Sequence, residues 1–147
     1  MSADLKKVIS SYMKGHFYLS LATINSDNPK QPHVSSVVYV NDGLDLYFGT
    51  SAKTQKFINL TTNPKVAVTI DAYTTDWAEL KGIQIEGEAE VVKEETTAFV
   101  YGIYSEKFPI IKSLPAIPDN RFIKITPRKI WMLDYSKGFG YRDYLEL

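Results

Sequence analysis

The stretch LYFGTSAKTQKFINL, residues 46–60, changes its hydrophobic period half-way along. Leu44, Leu46 and Phe48 alternate with Asp45 and Tyr47, the two-residue period of a strand with one buried face. Past Thr50 and Ser51 the alternation stops, Phe57 and Leu60 fall at helical spacing, and Asn63-Pro64 ends the run. A strand therefore gives way to a short helix over 51–60, and the junction holds Thr50, Ser51, Lys53, Thr54, Gln55 and Lys56. The first N–H groups of a helix lack internal partners and carry partial positive charge, so hydroxyls and ammoniums gathered there suit an anion such as a phosphate. On these residues alone a plainer reading stands ahead, in which Thr50 or Ser51 caps the helix while Lys53 and Lys56 are solvated.

Strand patterns surround this junction. Upstream, Phe17, Leu19 and Leu21 alternate with Tyr18, Ser20 and Ala22 up to the breaker run Ser26-Asp27-Asn28-Pro29. A second strand, rich in β-branched residues, is read over Val34–Val40 and closes at Asn41-Asp42-Gly43, whose Asp-Gly pair signals a hairpin. Downstream, Val66, Val68 and Ile70 form a fourth strand, and Ile83, Ile85, Gly87, Ala89 and Val91 a fifth. A final strand pair, or one long strand interrupted at Thr126-Pro127, runs from Phe122 to Leu133. Helices are read at the amphipathic start, where Leu5, Val8, Ile9, Tyr12 and Met13 share a face, and over Lys93–Phe108 before Pro109. About six strands with three short helices leave too few crossovers for a parallel sheet. The reading is one domain over 1–147, mainly β, with an antiparallel sheet closed into a barrel.

Composition narrows function by exclusion. The 147 residues are 44% hydrophobic and 23% charged, as in a globular protein. Seventeen basic residues balance seventeen acidic ones, which leaves no general field for nucleic acid or an anionic membrane. There is no cysteine, so disulfides, thiolate nucleophiles and Cys-ligated metals are ruled out. No stretch approaches a membrane span, and the charged segment from Met1 to Met13 lacks the apolar core of a signal peptide, so the expectation is a cytoplasmic protein. His16 and His33, the only histidines, have no metal-ligand spacing around them, and no metal site is expected. No nucleophile elbow, P-loop or dinucleotide-binding glycine turn is present. Glu86, Glu88 and Glu90 share a strand face, which a solvated outer surface explains without catalysis. Gly138-Phe139-Gly140 reads as a turn in the tail.

Four pieces in order, "FYLSLATIN", "PHVSSVVYV", "LYFGTSAKTQKFINL", and "NPKVAVTI" followed by "GIQIEGEAEVV", resemble the pyridoxamine-phosphate-oxidase-like FMN-binding split barrels over about Phe17 to Leu133. The resemblance implies a six-stranded antiparallel split β-barrel, FMN as cofactor and a homodimer, and it lifts the phosphate reading of the junction above the plainer one. It places Ser35, Ser36, Val37 and Val38 beside the isoalloxazine, and Thr50 and Ser51 at the ring and ribityl side. Thr54, Gln55 and Lys56, helped by Lys53, would hold the phosphate. Gln84 and Trp131 would face the cofactor from the partner subunit. The vitamin B6 oxidase usually has Arg where this chain has Ser35 and Gln55, and in the tail "SKGFGYRDYLEL" only Arg142 is comparable to its substrate residues. The implied function is accordingly a flavin-dependent oxidoreductase, with a small-molecule substrate or an electron donor such as NAD(P)H, that does not oxidise pyridoxamine phosphate. A non-catalytic flavin-holding or redox-sensing protein, or a deazaflavin- or haem-binding relative, is the alternative, and no catalytic side chain is assigned.

Overall fold

The computed structural model describes residues 2–147; Met1, counted in the amphipathic opening segment, lies outside them. Helix α1 (Ser2–Lys14) buries Ile9 and Met13 completely, with Leu5 and Tyr12 partly covered beside them. The strands are β1 (Tyr18–Ile24), β2 (Pro32–Val38), β3 (Val40–Asp42), β4 (Asp45–Ser51), β5 (Lys65–Asp71), β6 (Lys81–Val91), β7 (Asn120–Asp134) and β8 (Arg142–Glu146). Helix α2 (Gln55–Thr62) follows β4, and α3 (Thr97–Lys107) lies between β6 and β7. All pairings are antiparallel, in the order β2-β1-β5-β6-β7-β4-β3, with β8 added to β7. The mainly β, split-barrel fold class read from the sequence is the one observed.

That strand order forces the sheet to curl. β2 and β3 stand at opposite ends of it, yet only Tyr39 separates Val38 from Val40. The two edges must therefore meet at Tyr39, which is wholly buried. Its N–H donates to the Phe17 carbonyl at 3.2 Å and its hydroxyl to the Met13 carbonyl at 2.6 Å. Inside the curl, Leu19 and Leu21, Leu46 and Phe48, Val68 and Ile70, Ile83 and Ile85, and Ile123, Ile125 and Ile130 form one core with α1 and α2. Each such side chain contributes about 1.5–3 kcal/mol when fully buried. A second cluster, Val40, Tyr47, Val100 and Tyr104, holds α3 over the seam, where the Tyr104 hydroxyl donates to the Val38 carbonyl.

The strand count differs from the sequence reading at two places. The run read as one strand over 34–40 breaks at Tyr39: its first part pairs with β1, and its last residues form the short β3, which makes the Asp-Gly hairpin with β4. Gly43 sits in that turn at φ +60°, a conformation that favours glycine. The tail adds β8 after the glycine turn at 138–140. The segment 122–133 is a single strand, with a register shift that sets Gly87 against Pro127 and leaves Arg128 unpaired with β6. Lys93–Phe108 opens as a 3₁₀ turn, and α3 proper starts at Thr97.

Candidate functional site

The junction ending β4 is tightly hydrogen-bonded. Thr54 caps α2, its hydroxyl oxygen accepting from the Phe57 N–H at 3.4 Å. The same hydroxyl donates to the Ser51 carbonyl at 2.9 Å and lies 2.8 Å from the Thr50 hydroxyl. Gln55 reaches along the helix to the Asn59 side-chain oxygen at 2.7 Å. Asn59, fully buried, donates in turn to the Thr23 hydroxyl at 3.0 Å and accepts from the Ser26 N–H. Gln55 is thus committed to anchoring α2 on the loop after β1. By contrast, the Gln55 and Lys56 backbone N–H groups have no acceptor, and the Lys56 ammonium no carboxylate partner, among the described residues.

One residue here was not legible as part of the junction. The β4–β7 ladder pairs Ser51 with Asn120 and continues one step further, the Ala52 N–H donating to the Asp119 carbonyl at 2.8 Å. Asp119 is therefore brought against the turn from 68 residues away. Its carboxylate accepts from the Ser51 hydroxyl at 2.7 Å and lies 3.9 Å from the Lys53 ammonium, which is otherwise largely in solvent. The Ser51 hydroxyl, foremost, holds the Asp119 carboxyl below the usual carboxylate range. The only sequence sign was a turn-like Pro118-Asp119-Asn120, which points to no partner.

Strand β2, expected beside a ring, divides its residues between two faces. Ser35 and Val37 point inward, Val37 packing on the main core, while Ser36 is exposed and Val38 packs on the cluster beneath α3. Ser35 Oγ and His33 Nδ1 are buried and have no hydrogen-bond partner among the described residues. β2 pairs only with β1, and it also contacts both β4 and α2. The unpaired polar atoms therefore lie on an edge strand that contacts both elements flanking the junction.

Gln84 and Trp131 are cross-strand neighbours on the outer face of the sheet. They line a shallow groove of about 260 Å³ with Ser20, Ala22, Val34 and Thr69, and no residue of the 50–56 junction lines it. β8 adds Arg142, whose guanidinium donates to the Gln84 side-chain oxygen at 3.1 Å, and Tyr144, whose ring centroid is 5.3 Å from that of Trp131. The groove runs on past Ala67 and Glu86 into a wider one over Gly87, rimmed by Lys65, Arg128 and Lys129. Glu86 and Glu90 are exposed opposite Lys129 and Lys124, and Glu88 is ion-paired with Arg128 at 3.3 Å.

His16 stacks on Tyr12, its ring centroid 4.0 Å away, and its Nδ1 lies 2.7 Å from the Tyr12 carbonyl. Among the described residues no cluster of side chains suits a metal ion, and no helix is long and apolar enough to cross a membrane.

Comparison with known proteins agrees with this architecture. A UPF0306 protein of Photorhabdus laumondii subsp. laumondii is 25% identical over 134 residues, 91% of this chain and 90% of its own. A conserved hypothetical protein from Mycobacterium tuberculosis superposes with a TM-score of 0.76 at 27% identity, covering 89% of this chain and 85% of that one. HutZ, the haem storage protein from Vibrio cholerae, superposes with a TM-score of 0.71 at 21% identity over 84% of this chain and 89% of its own, a likeness of fold alone. Residues 5–134, from within α1 to the end of β7, match the family described as pyridoxamine 5'-phosphate oxidase, and the chain belongs to that family.

Proposed function

We propose that this chain is an FMN-binding flavoprotein working as a flavin-dependent oxidoreductase on a substrate other than pyridoxamine phosphate. The observation that carries the reading is the start of α2. There the Thr50 and Thr54 hydroxyls bond to each other and to the Ser51 carbonyl, and beside them stand two backbone N–H groups without acceptors and a lysine without a carboxylate partner among the described residues. That donor set suits a phosphate dianion. Ser35 Oγ, buried and unpaired on the strand that contacts both α2 and β4, supports the fit, because such an atom needs a partner that a ligand's polar edge would supply. In this reading Lys56 and the first N–H groups of α2 hold the phosphate, helped by Lys53, while Thr50 and Ser51 border the ribityl chain, with Ser51 at its phosphate end. Ser35, Ser36, Val37 and Val38 supply backbone and side-chain contacts along the ring.

FMN, when bound, supplies the electron transfer that no side chain here performs. The chain's own part is to bind, to orient and to exclude water. Gln84 and Trp131, with Arg142 and Tyr144 beside them, line an outer groove apart from the junction, which supports a homodimer in which each subunit's outer face completes the other's site. The small residues Ser20, Ala22 and Ala67 on that face permit close approach of a second sheet. A second reading, haem binding in the same barrel, draws on His33, whose buried Nδ1 lacks a partner, and on the fold shared with HutZ.

The absorption spectrum of the purified protein, followed by titration of the cofactor-free form with FMN, tests the choice. Flavin bands and saturable uptake of FMN support the proposal. A Soret band with no uptake of flavin overturns it in favour of haem. Anaerobic reduction of the bound flavin by NAD(P)H then separates an oxidoreductase from a flavin-holding or redox-sensing protein.

A further inference from the structure

Asp119 is set into the junction by the backbone and not by a mobile side chain. Its carbonyl extends the β4–β7 ladder through the Ala52 N–H, and the residues on either side of it are tied by Arg121, whose guanidinium donates to the Pro118 and Asn120 carbonyls at 3.1 and 3.0 Å. From this position the carboxylate takes up the one proton the Ser51 hydroxyl can donate. The hydroxyl's acceptor side is filled as well, by the Lys53 N–H at 3.1 Å. Lys53 shares its charge with the same carboxylate. Two of the groups that a phosphate at this junction would draw on are thus already engaged by an internal anion, which also repels a phosphate dianion.

We propose that Asp119 is a specificity-determining residue of the α2 junction, a built-in competitor for Ser51 and Lys53 that makes the site a weak and exchangeable holder of phosphate. The proposal rests on the flavin reading above and adds the selectivity of that site: the 5′-phosphate of FMN gains little over riboflavin, because only Lys56 and the first N–H groups of α2 are free to meet it. Removing the negative charge while keeping the shape should end the repulsion of the phosphate, free the Lys53 ammonium, and leave the Ser51 hydroxyl only a neutral amide oxygen to compete with the ligand. A hydrogen bond to a charged group then becomes available that the natural chain lacks, so FMN should bind roughly ten-fold more tightly. Riboflavin carries no phosphate and should be unaffected.

The test is a double-mutant cycle read by flavin fluorescence titration of the full-length chain, with FMN and riboflavin as probes. Asp119→Asn is expected to tighten FMN by roughly ten-fold and to leave riboflavin unchanged. Ser51→Ala is expected to weaken FMN binding more in the Asp119→Asn background than in the natural one, since only in the former can the hydroxyl's proton turn from a carboxylate to the phosphate. If the natural chain binds FMN and Asp119→Asn leaves that affinity unchanged or weakens it, Asp119 is a structural tether and the proposal is overturned while the flavin reading stands. Equal effects of Ser51→Ala in both backgrounds overturn it as well. Failure of every variant to take up FMN or riboflavin overturns the flavin reading, and this proposal with it.

Discussion

Replacing Lys56 by alanine separates a ligand-holding lysine from a solvated one. Lys56 is the second residue of α2, half-buried, and without a carboxylate partner among the described residues, whereas Lys53 is largely exposed and shares its charge with Asp119. If FMN binds here, Lys56 carries most of the positive charge that its phosphate meets. A hydrogen bond to a charged group contributes about 1.5–3 kcal/mol. The half-exposed position argues for the lower part of that range, because solvent screens the pair. Lys56→Ala should therefore weaken FMN by roughly ten- to thirty-fold.

Stability should move the other way. A cation in the first turn opposes the helix dipole by about 0.3–1 kcal/mol, and alanine is the best helix former, so the cofactor-free variant should melt at the same temperature as the natural chain or slightly above it. Flavin fluorescence titration with FMN and riboflavin, beside thermal unfolding without ligand, reads both quantities. Weaker FMN, unchanged riboflavin and undiminished stability together support the assignment. Equal FMN affinity in the two proteins, or equal losses for FMN and riboflavin, refutes it.

Three further outcomes are expected. Gly87→Ala, whose added Cβ would stand 2.5 Å from the Thr126 carbonyl oxygen at the register shift, should destabilise the barrel by about 1–3 kcal/mol, read as a lower urea midpoint at unchanged slope; an unchanged midpoint would show that the β7 bulge yields freely. Ala67→Arg, on the small-residue outer face, should convert a dimer into a folded monomer, raising the dissociation constant by roughly a hundred-fold or more by sedimentation, and a variant that stays dimeric would move the interface elsewhere. Burial pulls the Lys107 ammonium down to about 8 while it donates to the Met13 and His16 carbonyls, so with rising pH the folded chain gives up this proton before the unfolded one and the group's contribution to stability grows from about pH 8 towards the ordinary lysine value of 10.5. Tyr12, pushed up to about 12, and Tyr39 and Tyr104, also raised by burial, act oppositely only above pH 10, so the stability difference between the natural chain and Lys107→Met should increase from pH 7.5 to 9.5; a flat difference would refute it.

Legibility in the sequence followed the range of the interactions. Alternation marked β1, β4, β5 and β6, and the helical face of α1 was marked by Leu5, Ile9 and Met13, because each element's own period reports which side is buried. The break at Tyr39 carried no local signal, since Val37 to Val40 is an unbroken β-favouring run. What ends β2 is tertiary, namely the tyrosine's burial and its hydroxyl bond to the end of α1. Short β8 was hidden for a similar reason: Arg142 to Glu146 is a strand because β7 lies beside it. At the site, the helix start and its hydroxyls were visible from spacing, whereas Asp119 entered through a strand pairing that no local pattern encodes.

The same topology accounts for where a ligand site would arise. A barrel closed by continuous pairing satisfies its backbone all the way round. Here β2 pairs on one side only, and the seam at Tyr39 is closed by covalent continuity, by the Tyr39 hydroxyl donating to the Met13 carbonyl of α1, and by the Tyr104 side chain of α3. Among the described residues, the edge strand beside that seam carries the unpartnered Ser35 and His33 atoms, and α2, which contacts it, begins with N–H groups without acceptors and a lysine without a carboxylate partner. Buried polar groups without partners are costly in a finished core, so their concentration at one side of the split is difficult to explain as packing alone. A bound molecule with a polar ring edge and an anionic tail would satisfy both sets at once. The incomplete sheet and the cofactor proposed for it are then two aspects of one arrangement, with Asp119 setting how firmly the anionic end is held.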